Sequence, residues 1–262
     1  MGIKSATNIV DLQFGRIAPD FISASSDHVL FDRLQIFADQ SHWVSPQLIS
    51  FLRFHPTVEQ LHLCQRFDIF KKSPLPLTGV VLPHLKIYEG PSHIVHLVIP
   101  GSSVSDARIW WGSYPDVPSD FNLVLSSLAK SSVPVTVLTC RGYCWNLEIL
   151  PLLAKYMIDL ERLEFVASGA SVAADVGRFI IILHEFVLNL YVQVFTRALR
   201  PVVEQSKRLK MVKLQYVEEE VPTITDLDSD YKTLLEWDCL RSSLIVVTFA
   251  SKSINRNSLP CI

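Results

Sequence analysis

The sequence predicts an α/β fold in which short parallel strands line one face and helices cover the other. Three observations predict it. One short phrase recurs nine times: an apolar residue, two of any kind, Leu or Val, one of any kind, an apolar residue. Stretches with helical periodicity lie between several of these phrases. Half of the gaps between phrases have the length of one strand and one return segment.

The phrase occurs at Ile9-Leu12-Phe14, Phe31-Leu34-Ile36, Val58-Leu61-Leu63, Leu82-Leu85-Ile87, Ile94-Leu97-Ile99, Val135-Leu138-Cys140, Leu160-Leu163-Phe165, Leu209-Val212-Leu214 and Leu244-Val247-Phe249. Its middle residue is Leu in seven of the nine, which makes it the strand phrase of a leucine-rich-repeat-like solenoid. A chain that is 49% apolar yields some such triplets by accident, so spacing is the better test. Successive phrases start 22, 27, 24, 12, 41, 25, 49 and 35 residues apart. Four gaps suit one repeat each, and the 12-residue gap reads as a tight return. The 41- and 49-residue gaps require an insertion or a missed unit. Regular repeats carry Asn or Cys three residues after the last apolar position. That slot here holds Ile17, Asp39, Arg66, Gly90, Ser102, Tyr143, Ser168, Val217 and Lys252, so the solenoid is irregular.

Between the phrases, Pro46–Phe54 places Leu48, Ile49 and Leu52 at helical spacing and breaks at His55-Pro56. Ser119–Leu128 opens on Ser119-Asp120, an N-cap pair, and continues apolar at Phe121, Leu125 and Leu128. Asn146–Met157 and Arg197–Gln205 are helical in pattern, as is Asp230–Cys239 with its acidic start. The run Val176–Val194 is the most hydrophobic window. His184, Glu185, Asn189 and Gln193 interrupt it, so a helix burying Ile182, Phe186, Leu190 and Val194 is expected rather than a membrane span. It lies inside the 49-residue gap and reads as an outer helix or an insertion. One domain over residues 1–262 is expected.

Net charge is −2 with no basic run, which gives nucleic acid little to bind. Five cysteines at irregular positions and no Asn-x-Ser/Thr site argue for a reducing compartment, cytoplasmic or nuclear. No charged-then-apolar leader opens the sequence. Met1-Gly2 lacks the Ser or Thr that myristoylation needs, since Ala6 stands there, and Cys261 is misplaced for prenylation.

Gly169-Ala170-Ser171-Val172-Ala173 after a strand resembles a nucleophile elbow, and an α/β hydrolase-like enzyme using Ser171 is the alternative reading. The one later histidine, His184, stands thirteen residues on, too close for a triad member on a separate loop. His93/His96 and Cys140/Cys144 lack the further paired ligands a metal needs, and no glycine-rich phosphate loop exists, so no cofactor is expected. Trp110-Trp111 beside Arg108, and Trp145 beside Arg141, are read as core-closing residues ahead of interface anchors.

With the repeats in place, "LISFLRFHPTVEQLHL" followed by "LPHLKIYEGPSHIVHLVIPG" resembles the fungal F-box proteins with irregular leucine-rich repeats. "VPVTVLTCRGYCWNLEIL", "LERLEFV", "LKMVKLQYV" and "LLEWDCLRSSLIVVTFAS" resemble further units, and the likeness spans Gln47 to Ser251 apart from the apolar run. The resemblance implies a non-enzymatic adaptor: an F-box binds the ubiquitin-ligase core while the repeats present a substrate. No N-terminal segment reads as an F-box, so either that motif was lost or this is the repeat portion of a longer protein.

Strand alternation then assigns the faces. Leu61, Leu63, Leu85, Ile87, Leu163, Phe165 and Leu214 are expected inward. Gln60, His84, His96, Thr139 and Gln215 are expected outward, together with the candidate partner-binding residues His62, Lys86, Tyr88, Arg141, Arg162, Glu164 and Lys213.

Overall fold

The computed structural model describes residues 8–14, 30–39, 46–63, 78–111, 121–142, 147–168, 197–217, 246–249 and 252–255. These fall in two compact units, Met1–Leu138 and Thr139–Ile262. The class is α/β with parallel strands, as the phrases imply.

In the first unit the strands are β1 (Asp11–Phe14), β2 (Ile36–Asp39), β3 (Gln60–Leu63), β4 (Ile87–Pro91) and β5 (Asp106–Trp110), side by side in chain order. All four pairings are parallel. Their register aligns Leu12, Phe37, Leu61, Tyr88 and Ala107 in one row across the five strands. Apart from Leu12, every member of that row is fully buried. β6 (Val137–Gly142) straddles the division between the units. In the second unit β7 (Arg162–Ser168), β8 (Met211–Val217) and β9 (Val246–Phe249) are parallel, and β10 (Lys252–Asn255) runs antiparallel to β9. There Leu163, Val212 and Val247 align in a row of their own.

A single backbone device repeats at each step. The second residue of a phrase offers one carbonyl that accepts two N–H groups from the next phrase. Val10 O receives Gln35 N and Ile36 N, Gln35 O receives Glu59 N and Gln60 N, and Glu59 O receives Lys86 N and Ile87 N. Lys86 O then receives Ser105 N and Asp106 N, Ser105 O receives Thr136 N and Val137 N, and in the second unit Glu161 O receives Lys210 N and Met211 N. All of these distances fall between 2.7 and 3.2 Å. Before the strand, a turn closes from the first apolar residue to the carbonyl three residues earlier: Leu34 to Phe31, Val58 to His55, Leu85 to Leu82, Leu160 to Met157 and Leu209 to Ser206.

That turn explains where the sequence pattern slipped. A repeat carries buried residues both at the turn and at the strand, three apart, so the triplet fits in two frames. At Phe31-Leu34 and Leu82-Leu85 the exposed-side residues Ile36 and Ile87 completed the triplet one frame early. The strand frames are Leu34-Phe37-Asp39 and Leu85-Tyr88-Gly90. Ile87 therefore lies on the half-exposed side, and Tyr88, expected outward, is fully buried. Ile94-Leu97-Ile99 is no strand: Ser92–Ile94 is a 3₁₀ turn continuing into α2 (Val95–Val98), because Ile94, Val95, Leu97 and Val98 bury one helical face. The 41-residue gap holds a missed unit, β5, whose phrase is Val104-x-x-Ala107-x-Ile109 with Ala in the Leu slot. That Ala stands opposite Tyr88, the bulkiest residue of the row.

The helices follow the predicted spans closely. α1 (Pro46–Phe54) starts on a Pro whose missing N–H costs nothing in the first turn and buries Leu48, Ile49, Phe51 and Leu52. Phe51 packs against Phe37 of β2 at 5.0 Å between ring centroids, and Phe37 meets Phe14 at 6.0 Å. α3 (Phe121–Leu128) buries Val124, Leu125 and Leu128, and α4 (Ile149–Tyr156) buries Ile149, Leu150, Leu153 and Ala154. Residues 197–205 form α5, with Leu199, Val202 and Val203 inward. Among the described residues no helix is long and apolar enough to cross a membrane. The run 176–194 and the predicted helix 230–239 lie outside the described residues.

Candidate functional site

The less buried side of the strands carries two rows of side chains. In the first unit the third residues of the phrases align as Asp11, Ile36, Gln60, Ile87 and Asp106. The fifth residues align as Gln13, Ala38, His62, Glu89 and Arg108. One row thus alternates acid, apolar and amide, while the other ends in charge.

That charge is internally matched. His62 Nδ1 donates to Glu89 Oε2 at 3.3 Å, and Arg108 Nη1 approaches the same oxygen at 3.6 Å. Arg108 also grips Asp106 bidentately, with Nη2 to Oδ2 at 2.9 Å and Nε to Oδ1 at 3.3 Å. In the second unit Glu164 plays the part of Glu89. Lys213 Nζ donates to its Oε1 at 2.6 Å, Arg162 stands 3.8 Å from its Oε2, and Thr139 Oγ1 donates to Oε2 at 3.5 Å. Glu89 and Glu164 are each held by cationic or hydroxyl groups on both adjoining strands. Pairs this accessible contribute about 0–1 kcal/mol each, so the ladder orients a polar face more than it stabilises the fold.

Of the expected site residues, His62, Arg162, Glu164 and Lys213 belong to this ladder. Arg141 lies half-buried on β6. Lys86 precedes β4 rather than lying on it, and its exposed amine pairs with Glu59 Oε2 at 2.7 Å. Lys210 and Glu161 repeat that pair at the same phrase position, also at 2.7 Å. Lys210 and, more weakly, Arg208 hold the Glu161 carboxyl below its ordinary range. Tyr88 is removed from the site: burial pushes its phenol well up, and Oη donates to Pro91 O at 2.8 Å. His84 occupies a turn and His96 a helix, so neither joins the face. Thr139 is buried, reaching the face only through Glu164. Of Gln215 only its place in β8 is described.

Sequence reasoning missed Glu89, Arg108 and Asp106, because two of them lie on the Ala-centred strand and the third on the strand read in the wrong frame. The strict alternation of Asp106–Trp110 was the available signal.

Candidate chemistry elsewhere recedes. Burial, then the charge of His96, lowers His93 to about 4, and burial likewise lowers His96. Among the described residues no three His, Cys, Asp or Glu side chains gather as metal ligands. Cys140 is buried in an inward slot, as its place in the phrase implies. Trp111 is buried against Phe121 at 4.8 Å between ring centroids, a packing role. Ser171, His184, Cys144 and Trp145 lie outside the described residues. No protein-family model matches the chain, and no curated protein matches it.

Proposed function

We propose that this chain is a non-enzymatic protein-interaction scaffold, an irregular leucine-rich-repeat-like solenoid that receives a partner on its charge-laddered face. The recurring carbonyl that takes two N–H groups from the next phrase carries this reading. A device repeated at one phrase position across successive strands, with one inward row and two outward rows, is what stacked repeats build. The side chains also suit protein: Ile87 stands opposite Asp106 in its pair with Arg108, so apolar contact and polar registry are offered together.

On the likeness of its repeats to fungal F-box proteins, the partner is a substrate presented to a ubiquitin-ligase core. Affinity capture from cells with quantitative mass spectrometry, scored for ligase-core components, tests this. Enrichment of that core together with a specific partner supports the adaptor reading. A specific partner without the core leaves the scaffold and removes the ligase. Capture of neither overturns both.

A further inference from the structure

A second surface stands apart from the charge-laddered face. Among the described residues, Leu30, Phe54 and Val81 are large apolar side chains exposed by 56%, 50% and 61%. All three occupy one repeat position, four residues before the first apolar residue of their phrase, in three successive phrases. Single exposed apolar residues are ordinary, but a contiguous row is not.

The row crosses three adjacent phrases, whose strands pair β2 to β3 to β4. Phe31 N donates to His55 Nε2 at 3.1 Å and the two rings lie 5.5 Å apart, which brings the chain just after Leu30 against the chain just after Phe54. Val81 follows on the adjacent phrase, and beyond it comes Gly101, whose missing Cβ would meet Val81 Cγ1 at 3.6 Å. Neighbouring strands are about 4.8 Å apart, so the row is about 10 Å long. That length matches residues i, i+3 or i+4, and i+7 on a helix rising about 1.5 Å per residue.

The border is basic. Arg33 and Lys130 lie exposed in turns and Arg53 lies exposed in the last turn of α1, against one acid, Asp32. Arg53 donates to the neutral Thr78 hydroxyl, and the Lys130 carbonyl accepts from Gly101 N, which holds Lys130 at the end of the row. We propose that Leu30, Phe54 and Val81 form a docking row for one amphipathic helix of a partner protein, apolar along its inner stripe and acidic along its borders.

The test uses the full chain and two labelled synthetic helical peptides, each with Leu at i, i+4 and i+7, one bordered by Glu and the other by Lys. Fluorescence anisotropy should show saturable binding of the Glu peptide. The Lys peptide should bind at least about tenfold more weakly, and Leu30→Ser/Phe54→Ser/Val81→Ser should lose at least about tenfold for the Glu peptide. Should that variant not fold, Arg33→Glu/Arg53→Glu leaves the apolar row intact and should invert the peptide preference. Absent peptide binding, equal binding by all variants, or a row that instead drives self-association or binding to anionic vesicles would overturn the proposal.

Discussion

Tyr88 and Gly90 show how one residue sets the terms for another. A tyrosine fills a slot that leucine holds elsewhere, and its hydroxyl has room only because Gly90 has no side chain: a Cβ there would lie 2.8 Å from Tyr88 Oη and 3.3 Å from Leu63 Cβ. Gly90→Ala should therefore cost about 1–3 kcal/mol. Tyr88→Phe should cost about 1 kcal/mol, through loss of the bond to Pro91. A denaturant double-mutant cycle with Tyr88→Leu should show positive coupling, the glycine substitution being tolerated once the phenol is gone. Additive costs would mean the pair is not packed as described. His93 gives a pH signature. The unfolded chain takes up this proton near 6.5, whereas the folded chain resists until about 4, so the unfolded state binds more protons in between. Stability then rises with pH across that window, and acidification removes at most about 3 kcal/mol, less where water reaches the ring. His93→Gln should flatten that part of the urea-midpoint profile. An unchanged profile would contradict the assignment.

At the scale of elements, helices were the most legible part of the sequence. Pro46–Phe54 is predicted and observed with identical bounds, because Pro at its start, apolar residues three and four apart, and His55-Pro56 at its end all agree. The strands were legible in kind but not in frame. Two buried positions three residues apart precede β2, β3, β4, β7 and β8, and isoleucine on the exposed side imitated a core residue at Ile36 and Ile87. Ala107 hid β5 entirely, since the row needs a small residue opposite Tyr88 and a pattern keyed to leucine does not register one. The frame is testable. Tyr88→Ala should destabilise by about 3–5 kcal/mol, whereas Ile87→Ala, on the less buried side, should cost about 1 kcal/mol. The reverse order would restore the frame read from sequence alone. The candidate site was half legible for the same reason: His62, Arg162, Glu164 and Lys213 lie on strands whose frame was read correctly, while Glu89, Arg108 and Asp106 do not.

For the whole molecule, the proposed function rests on polar strand faces rather than on a pocket. The ladder residues differ in type, yet Glu89 and Glu164 are each bridged across strands, so reversing the cations changes the polar sides of both units while the inward rows stay untouched. The most direct measurement is capture of the cellular partner by the full chain and by Arg108→Glu/Arg162→Glu/Lys213→Glu, with the fold of both checked by thermal melting. We expect the wild-type chain to enrich a specific protein and the folded variant to lose at least about tenfold of it, since reversed charges on a docking face repel as well as fail to attract. Equal capture by the folded variant, or no specific partner for the wild-type chain, would contradict the central claim.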